Sequence, residues 1–157
     1  MKKLCLIFAA VLLFSCCLAA CDAGKGMEYH FAYNGTAVRI GEDGKALSAA
    51  LGDYIDYRES GSCGAEQNDK EFYYPGFRYD TVWSNGADRI VRIVLTDDSV
   101  ATPQGIRIGD AKSAVVTAYG DSYTETADGS LVYTDGATKL MFGIRDGVVT
   151  AIHYTQA

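Results

Sequence analysis

Val38–Asp53, VRIGEDGKALSAALGD, and Ile106–Asp121, IRIGDAKSAVVTAYGD, align without a gap, and their shared reading decides the expected fold. Seven of the sixteen pairs are identical, namely Arg39/Arg107, Ile40/Ile108, Gly41/Gly109, Ala46/Ala114, Ala50/Ala118, Gly52/Gly120 and Asp53/Asp121, where chance gives about one or two. Val38/Ile106, Glu42/Asp110, Leu47/Val115 and Leu51/Tyr119 are alike in kind. The chain reads as a tandem duplication; the alternative is convergence on a common strand, cap, helix and glycine pattern. In the second copy Ile106 and Ile108 alternate with Arg107, and Asp110 stands where a helix cap belongs. Ala111, Ala114, Val115, Ala118 and Tyr119 then recur at helical spacing until Gly120 supplies the stop. The first copy repeats this, with Ala46, Leu47, Ala50 and Leu51 expected inward and Gly52 as terminator.

Outward from the repeat, the sequence reads as antiparallel strands joined by tight turns. Asn34-Gly35, Asp128-Gly129, Asp135-Gly136 and Asp146-Gly147 are hairpin signals. Phe72 to Tyr74, Phe77 to Val82 and Ile90 to Leu95 read as strands of the first half. In the second, Leu140, Phe142 and Ile144 alternate before the last turn, and Ile152 and Tyr154 after it. The expected fold class is α+β, as two tandem modules of one short helix packed on an antiparallel β-meander, covering 29–97 and 98–157.

Residues 1–20 read as a lipoprotein signal peptide. Lys2 and Lys3 give the positive start, Leu4 to Phe14 an apolar run, and Leu18-Ala19-Ala20-Cys21 the processing pattern, so Cys21 is the expected lipidation site. An ordinary cleaved signal or an uncleaved anchor helix is the alternative. Residues 21–28 then form a tether that spans at most ~25 Å when extended, holding the domain near a bilayer. The expected location is the extracytoplasmic face of a cell membrane, held by lipid.

Removing residues 1–20 leaves 12 basic residues against 20 acidic ones, a formal charge of −8. That balance repels nucleic acid, which is not an expected partner. Cys5, Cys16 and Cys17 leave with the signal and Cys21 carries lipid, so Cys63 is the free thiol and no intrachain disulfide framework is expected.

The pattern Ile-Gly-acid, a helix and Leu-Gly or Tyr-Gly, duplicated and followed by a meander, resembles the tandem modules of the β-lactamase inhibitor protein family. It is also similar to the small lipoprotein of the outer-membrane barrel-assembly machinery. Ser62-Cys63, Asp69-Lys70, Phe72, Tyr74, Gly76-Phe77 and Asp97 to Gly120 are similar to secreted lipoproteins of Gram-positive bacteria, a likeness that implies no established activity. Gly44 departs from the pattern by standing inside the first helix. The inhibitor-like resemblance implies a concave sheet surface with aromatic side chains that docks on a protein.

Six aromatics fall between 72 and 83: Phe72, Tyr73, Tyr74, Phe77, Tyr79 and Trp83. Tyr, Trp and Arg anchor interfaces, which makes Tyr73, Arg78 and Trp83 the candidate partner-binding residues; the alternative places Phe72, Tyr74, Phe77 and Tyr79 in a core. His30 and His153, the two histidines, lie in expected strands without a nucleophile or paired-ligand arrangement, and no catalytic residue is assigned. The aspartates sit mostly at turns and helix starts, so no metal and no cofactor is expected. The functional expectation is a non-enzymatic protein-binding module with an unidentified partner near the bilayer. The alternatives are a structural accessory or sensor subunit of the envelope, and a thiol-dependent enzyme built on Cys63.

Overall fold

A computed structural model describes residues 28–60 and 69–157. The expected signal peptide, the lipidation site Cys21, nearly all of the tether and the free thiol Cys63 lie outside the described residues. The chain starts with a short hairpin, β1 (Phe31–Tyr33) and β2 (Thr36–Val38), followed by α1 (Gly44–Leu51). Then come β3 (Asp56–Ser60), β4 (Asp69–Tyr74), β5 (Phe77–Ser84) and β6 (Ala87–Leu95). The second half holds α2 (Lys112–Tyr119), β7 (Thr124–Glu125), β8 (Leu131–Thr134), β9 (Thr138–Arg145) and β10 (Val148–Gln156).

The two-module expectation is corrected here. The protein is mostly β, and β3 to β10 form one antiparallel sheet in the order β3-β4-β5-β6-β10-β9-β8-β7. The reason is an edge. A separate first module would leave the outer edge of β6 unpaired, and a separate second module would do the same with β10. These two strands pair with each other instead, Leu95 with Ile152 and Ile93 with Tyr154, which fuses the halves.

That register relates the halves by an approximate two-fold at the β6–β10 pair, and the two repeat copies occupy corresponding places. Ile90 corresponds to Val149, Ile93 to Ile152 and Leu95 to Tyr154, and all six are buried. Each strand has a register shift just after the first of these residues, where its partner skips Val91 or Thr150. The repeat docks at that irregularity: the Gly41 N–H donates to the Ile90 carbonyl at 2.7 Å and the Gly109 N–H to that of Val149 at 2.8 Å. Both glycines have positive φ, 84° and 96°, which explains why Ile-Gly-acid recurs ahead of each helix.

Each helix lies on one face of the sheet with Gly52 or Gly120 at its end. Tyr74 of β4 donates its hydroxyl to the Gly52 carbonyl at 3.3 Å, and the corresponding Tyr133 of β8 to that of Gly120 at 2.9 Å. The capping differs between copies. Asp43 accepts from the Lys45 and Ala46 N–H groups and caps α1. The residue in its place at α2 is Ala111, which has no side chain able to cap, and Asp110 instead accepts from the Arg107 N–H at 2.8 Å. The expected cap at Asp110 is thus a turn bond. Ala46 and Ala50, expected inward, are exposed, and α1 rests on Gly44 and Leu47. A Cβ at Gly44 would lie 2.5 Å from the Thr81 methyl, so the departure from helical composition is what lets α1 approach the sheet.

The covered face carries the core: Phe72, Tyr74, Phe77, Tyr79, Leu131, Tyr133, Leu140 and Phe142 from the strands, closed by Leu47, Val115 and Tyr119 from the helices and Phe31 and Val38 from the hairpin. Phe72, Tyr74, Phe77 and Tyr79 are core residues, stacked within the first half. Two edge strands were illegible. β3, with sequence DYRES, has no apolar alternation, and β7 is two residues long.

Candidate docking face

Side chains alternate across a strand, so the residues between those of the core point to the other side of the sheet. The registers align them in rows. One row runs Asp56, Tyr73, Arg78, Val94, His153, Met141 and Val132 from β3 to β8. The next runs Arg58, Glu71, Asp80, Arg92, Thr155 and Lys139. No helix lies over this face among the described residues, since α1 and α2 both pack on the opposite one.

The two halves match on the covered face and diverge on the open one. By the two-fold correspondence Tyr73 becomes Val132, Arg78 becomes Met141, Asp80 becomes Gly143 and Arg92 becomes Ala151. The first half is therefore a polar lattice. Arg78 Nη1 donates to Glu71 Oε1 and to Asp80 Oδ1, both at 2.6 Å, and Arg92 Nε donates to Asp80 Oδ2. Tyr73 donates its hydroxyl to Glu71 Oε2 at 2.6 Å, while the guanidinium carbons of Arg58 and Arg78 stand 4.8 Å and 5.8 Å from its ring centre. Arg58 is in turn bound to Asp56 through Nε at 3.3 Å. The second half is small and apolar: Val132, Met141, Gly143 and Ala151 lie half-buried beside Val94. Around Met141 and Ala151 the surface dips into a cavity of about 480 Å³ that Asp128, Ser130 and Arg145 also line.

The electrostatics follow from burial and pairing. The hydrogen bond from Tyr73 holds the Glu71 carboxyl below its ordinary range, with Arg78 acting the same way. Burial pushes Asp80 up, against the hydrogen bond from Arg92 and the charge of Arg78. His153 sits where the halves meet, and its pKa is lowered by burial first and then by Arg92 and Arg78, while Asp80 opposes. The unfolded chain therefore binds a proton at His153 before the folded one does, and stability falls as pH drops below about 6.5. The urea midpoint is expected to fall between pH 7 and about 5, and to fall less in His153→Gln; equal losses in both proteins would remove His153 from the account.

No family model matches the chain, and no curated protein does. A solved structure is similar in part. It is an extracellular protein containing a SCP domain from Bacillus anthracis str. Ames, 12% identical, with a TM-score of 0.42. The match covers 74% of this chain and 44% of that one, so the chain spans less than half the length of that protein. Neither the inhibitor-protein likeness nor the lipoprotein likeness is supported by these comparisons.

The three residues singled out from sequence do not come together. Tyr73 and Arg78 are cross-strand partners on the open face. Trp83 shares the parity of Tyr79 and Thr81, lies on the covered side beyond α1, and is 41% exposed opposite Asp88. His30 precedes β1 and His153 is on β10. Among the described residues no group of three or more His, Cys, Asp or Glu is placed to hold a metal ion, and no helix is long and apolar enough to cross a membrane. Arg58, Glu71, Asp80 and Arg92 were missed. Their signal was the charge at alternate positions of β5, Arg78 and Asp80 between Phe77, Tyr79 and Thr81, which no solvated edge strand requires.

Proposed function

We propose that the protein is a membrane-anchored, extracytoplasmic lipoprotein that acts as a non-enzymatic binding module, and that a partner protein docks on the open sheet face. The divergence between the halves supports this reading. A face that meets only water has no use for a strip of Val94, Met141, Val132 and Ala151 beside a locked lattice of Tyr73 and three arginines. An interface has both, an apolar centre and a polar, arginine-rich surround. The lattice also holds its long side chains in place before a partner arrives, which lowers the entropy lost on binding. Trp83 is dropped from the docking set because it faces the other way.

The test is photo-crosslinking in the native cells, with a benzophenone side chain at position 132 and, as control, at the exposed position 50 on α1. A discrete crosslinked band is expected from 132 and not from 50. Tyr73→Ala is expected to reduce it about tenfold, in the range of an interface anchor, and Trp83→Ala to leave it unchanged. Equal yields from 132 and 50, or loss with Trp83→Ala alone, would count against the open face.

A further inference from the structure

We infer that β3 is a self-pairing edge: two copies of this chain join antiparallel along it, about a two-fold axis at Tyr57, into one sheet with eight strands from each copy. Among the described residues β3 has a neighbour on one side only. Its backbone direction follows from the turn two strands on. A two-residue turn closes on a hydrogen-bonded strand pair, so Tyr74 bonds Phe77 across Pro75-Gly76, and Phe72 bonds Tyr79 after them. Tyr73 and Glu71, lying between, turn their backbone groups toward β3, and the Ile55 N–H accordingly donates to the Tyr73 carbonyl at 2.8 Å. Their partners Asp56 and Arg58 face β4, which directs the Tyr57 N–H and C=O away from it. That N–H is held by the neighbouring side chain, Asp56 Oδ1, at 2.9 Å. Just ahead of the strand stand Tyr54 and Ile55, 45% and 69% exposed, two of the four large apolar side chains left at the surface of the described residues.

The side chains fix the occupant and the register. A two-fold pairing that matches this backbone sets one residue of β3 against its own copy. Centring on Asp56, Arg58 or Glu59 opposes like charges, and centring on Ser60 overlaps only the strand ends. Centring on Tyr57 opposes none. It sets Asp56 against Arg58 of the second copy, and Arg58 against the Asp56 there, on the open face. These are non-hydrogen-bonded pairs, whose side chains come closest. No surplus of charge is needed. Arg58 and Asp56 bind each other within one strand through Nε and Oδ2 at 3.3 Å, both more than half exposed. When the second Tyr57 carbonyl takes over the Tyr57 N–H, Asp56 Oδ1 is released to accept from the Nη donors of the second Arg58. On the covered face the ring of Tyr57 ends a row, 5.1 Å from Phe72, which lies 4.9 Å from Tyr79, and the second Tyr57 continues that row across the axis. The axis runs normal to the sheet, so both open faces look out on one side and both Tyr29 residues lie on the other. The inference is independent of where a partner protein docks.

The experiment is sedimentation velocity of the whole chain in non-ionic detergent, from about 1 to about 300 μM. The wild type is expected to dimerise with a Kd below about 100 μM. Asp56→Arg and Arg58→Asp, each alone, set like charges across both pairs and are expected to weaken self-association at least about tenfold. Lys45→Glu, on α1, is expected to leave it unchanged. Mixed in equal amounts, Asp56→Arg and Arg58→Asp are expected to recover a dimer made of one chain of each. The mixture is decisive because both chains have lost the ion pair within their own strand, and only a contact between chains restores the match of charge. It also shows that neither variant failed to fold. A wild type that stays monomeric over the whole range overturns the inference. So does a dimer indifferent to both β3 variants, one weakened equally by Lys45→Glu, or a mixture no better associated than its components.

Discussion

Phe31→Ala is expected to destabilise the fold by about 3–5 kcal/mol, the range for deleting a buried aromatic ring, and to do so without changing the denaturant slope. Phe31 has no exposed surface, and its ring lies 4.8 Å from that of Phe77 on β5 and 6.4 Å from that of Tyr154 on β10. It therefore bridges the two halves over their shared centre. Tyr33, on the same hairpin, packs on Phe77 at 4.8 Å and Tyr74 at 6.3 Å, so β1 and β2 act as a lid over the β4–β5 side of the core. Two-stranded hairpins are marginal alone, and this one holds its shape through what it covers. The measurement is the urea midpoint of Phe31→Ala beside the wild type. A loss below about 1.5 kcal/mol would mean that neighbouring rings close over the gap and that Phe31 is not the keystone argued here.

Gly76→Ala is expected to cost about 2–4 kcal/mol, from two independent causes. Pro75-Gly76 turns β4 into β5, with Gly76 at a φ of 80°, a region where an L side chain is strained. The turn is also strapped down. Thr96 donates its N–H to the Gly76 carbonyl at 2.9 Å, and the segment that follows brings Ser99 Oγ to 2.4 Å and a Val100 methyl to 2.7 Å of where a Cβ would stand. Gly86→Ala separates the causes, because Gly86 has the same φ of 80° and nothing within 4 Å of the added carbon. That variant is expected to lose only about 1 kcal/mol by denaturant unfolding. Equal losses at the two sites would show that the loop yields and that backbone strain alone matters.

The local pieces of the fold were readable because each had a chemical cause inside a short window. The helices at the repeat, the Asn34-Gly35 and Asp146-Gly147 turns and the strands from Phe72 onward follow from spacing and turn residues, and the structure contains them. The assembly was not readable, because nothing in the sequence of β6 or β10 says that the partner of Ile93 is Tyr154. Pairing over that separation is decided by which edge would otherwise stay open. The cap at Asp110 failed for a smaller reason: the repeat aligns Asp43 with Ala111, one residue beyond the acid that both copies share. At the candidate site, sequence identified Tyr73 and Arg78 by residue type. It did not find Arg58, Glu71, Asp80 and Arg92, which become neighbours only through three strand registers. Trp83 was chosen for its chemistry and lies on the opposite face of the sheet from Tyr73 and Arg78.

One anchor point on the covered side has a steric consequence. Tyr29 donates its N–H to Asp135 Oδ2 at 2.7 Å, and its ring lies against Tyr119 and Tyr133, so the chain enters the fold at the helix-bearing surface near the β8–β9 turn. Tyr29 therefore lies on one flank of the sheet, and the arginine lattice looks out from the other. Under the proposed function, a bulky occupant on the flank of Tyr29 leaves the docking flank unobstructed.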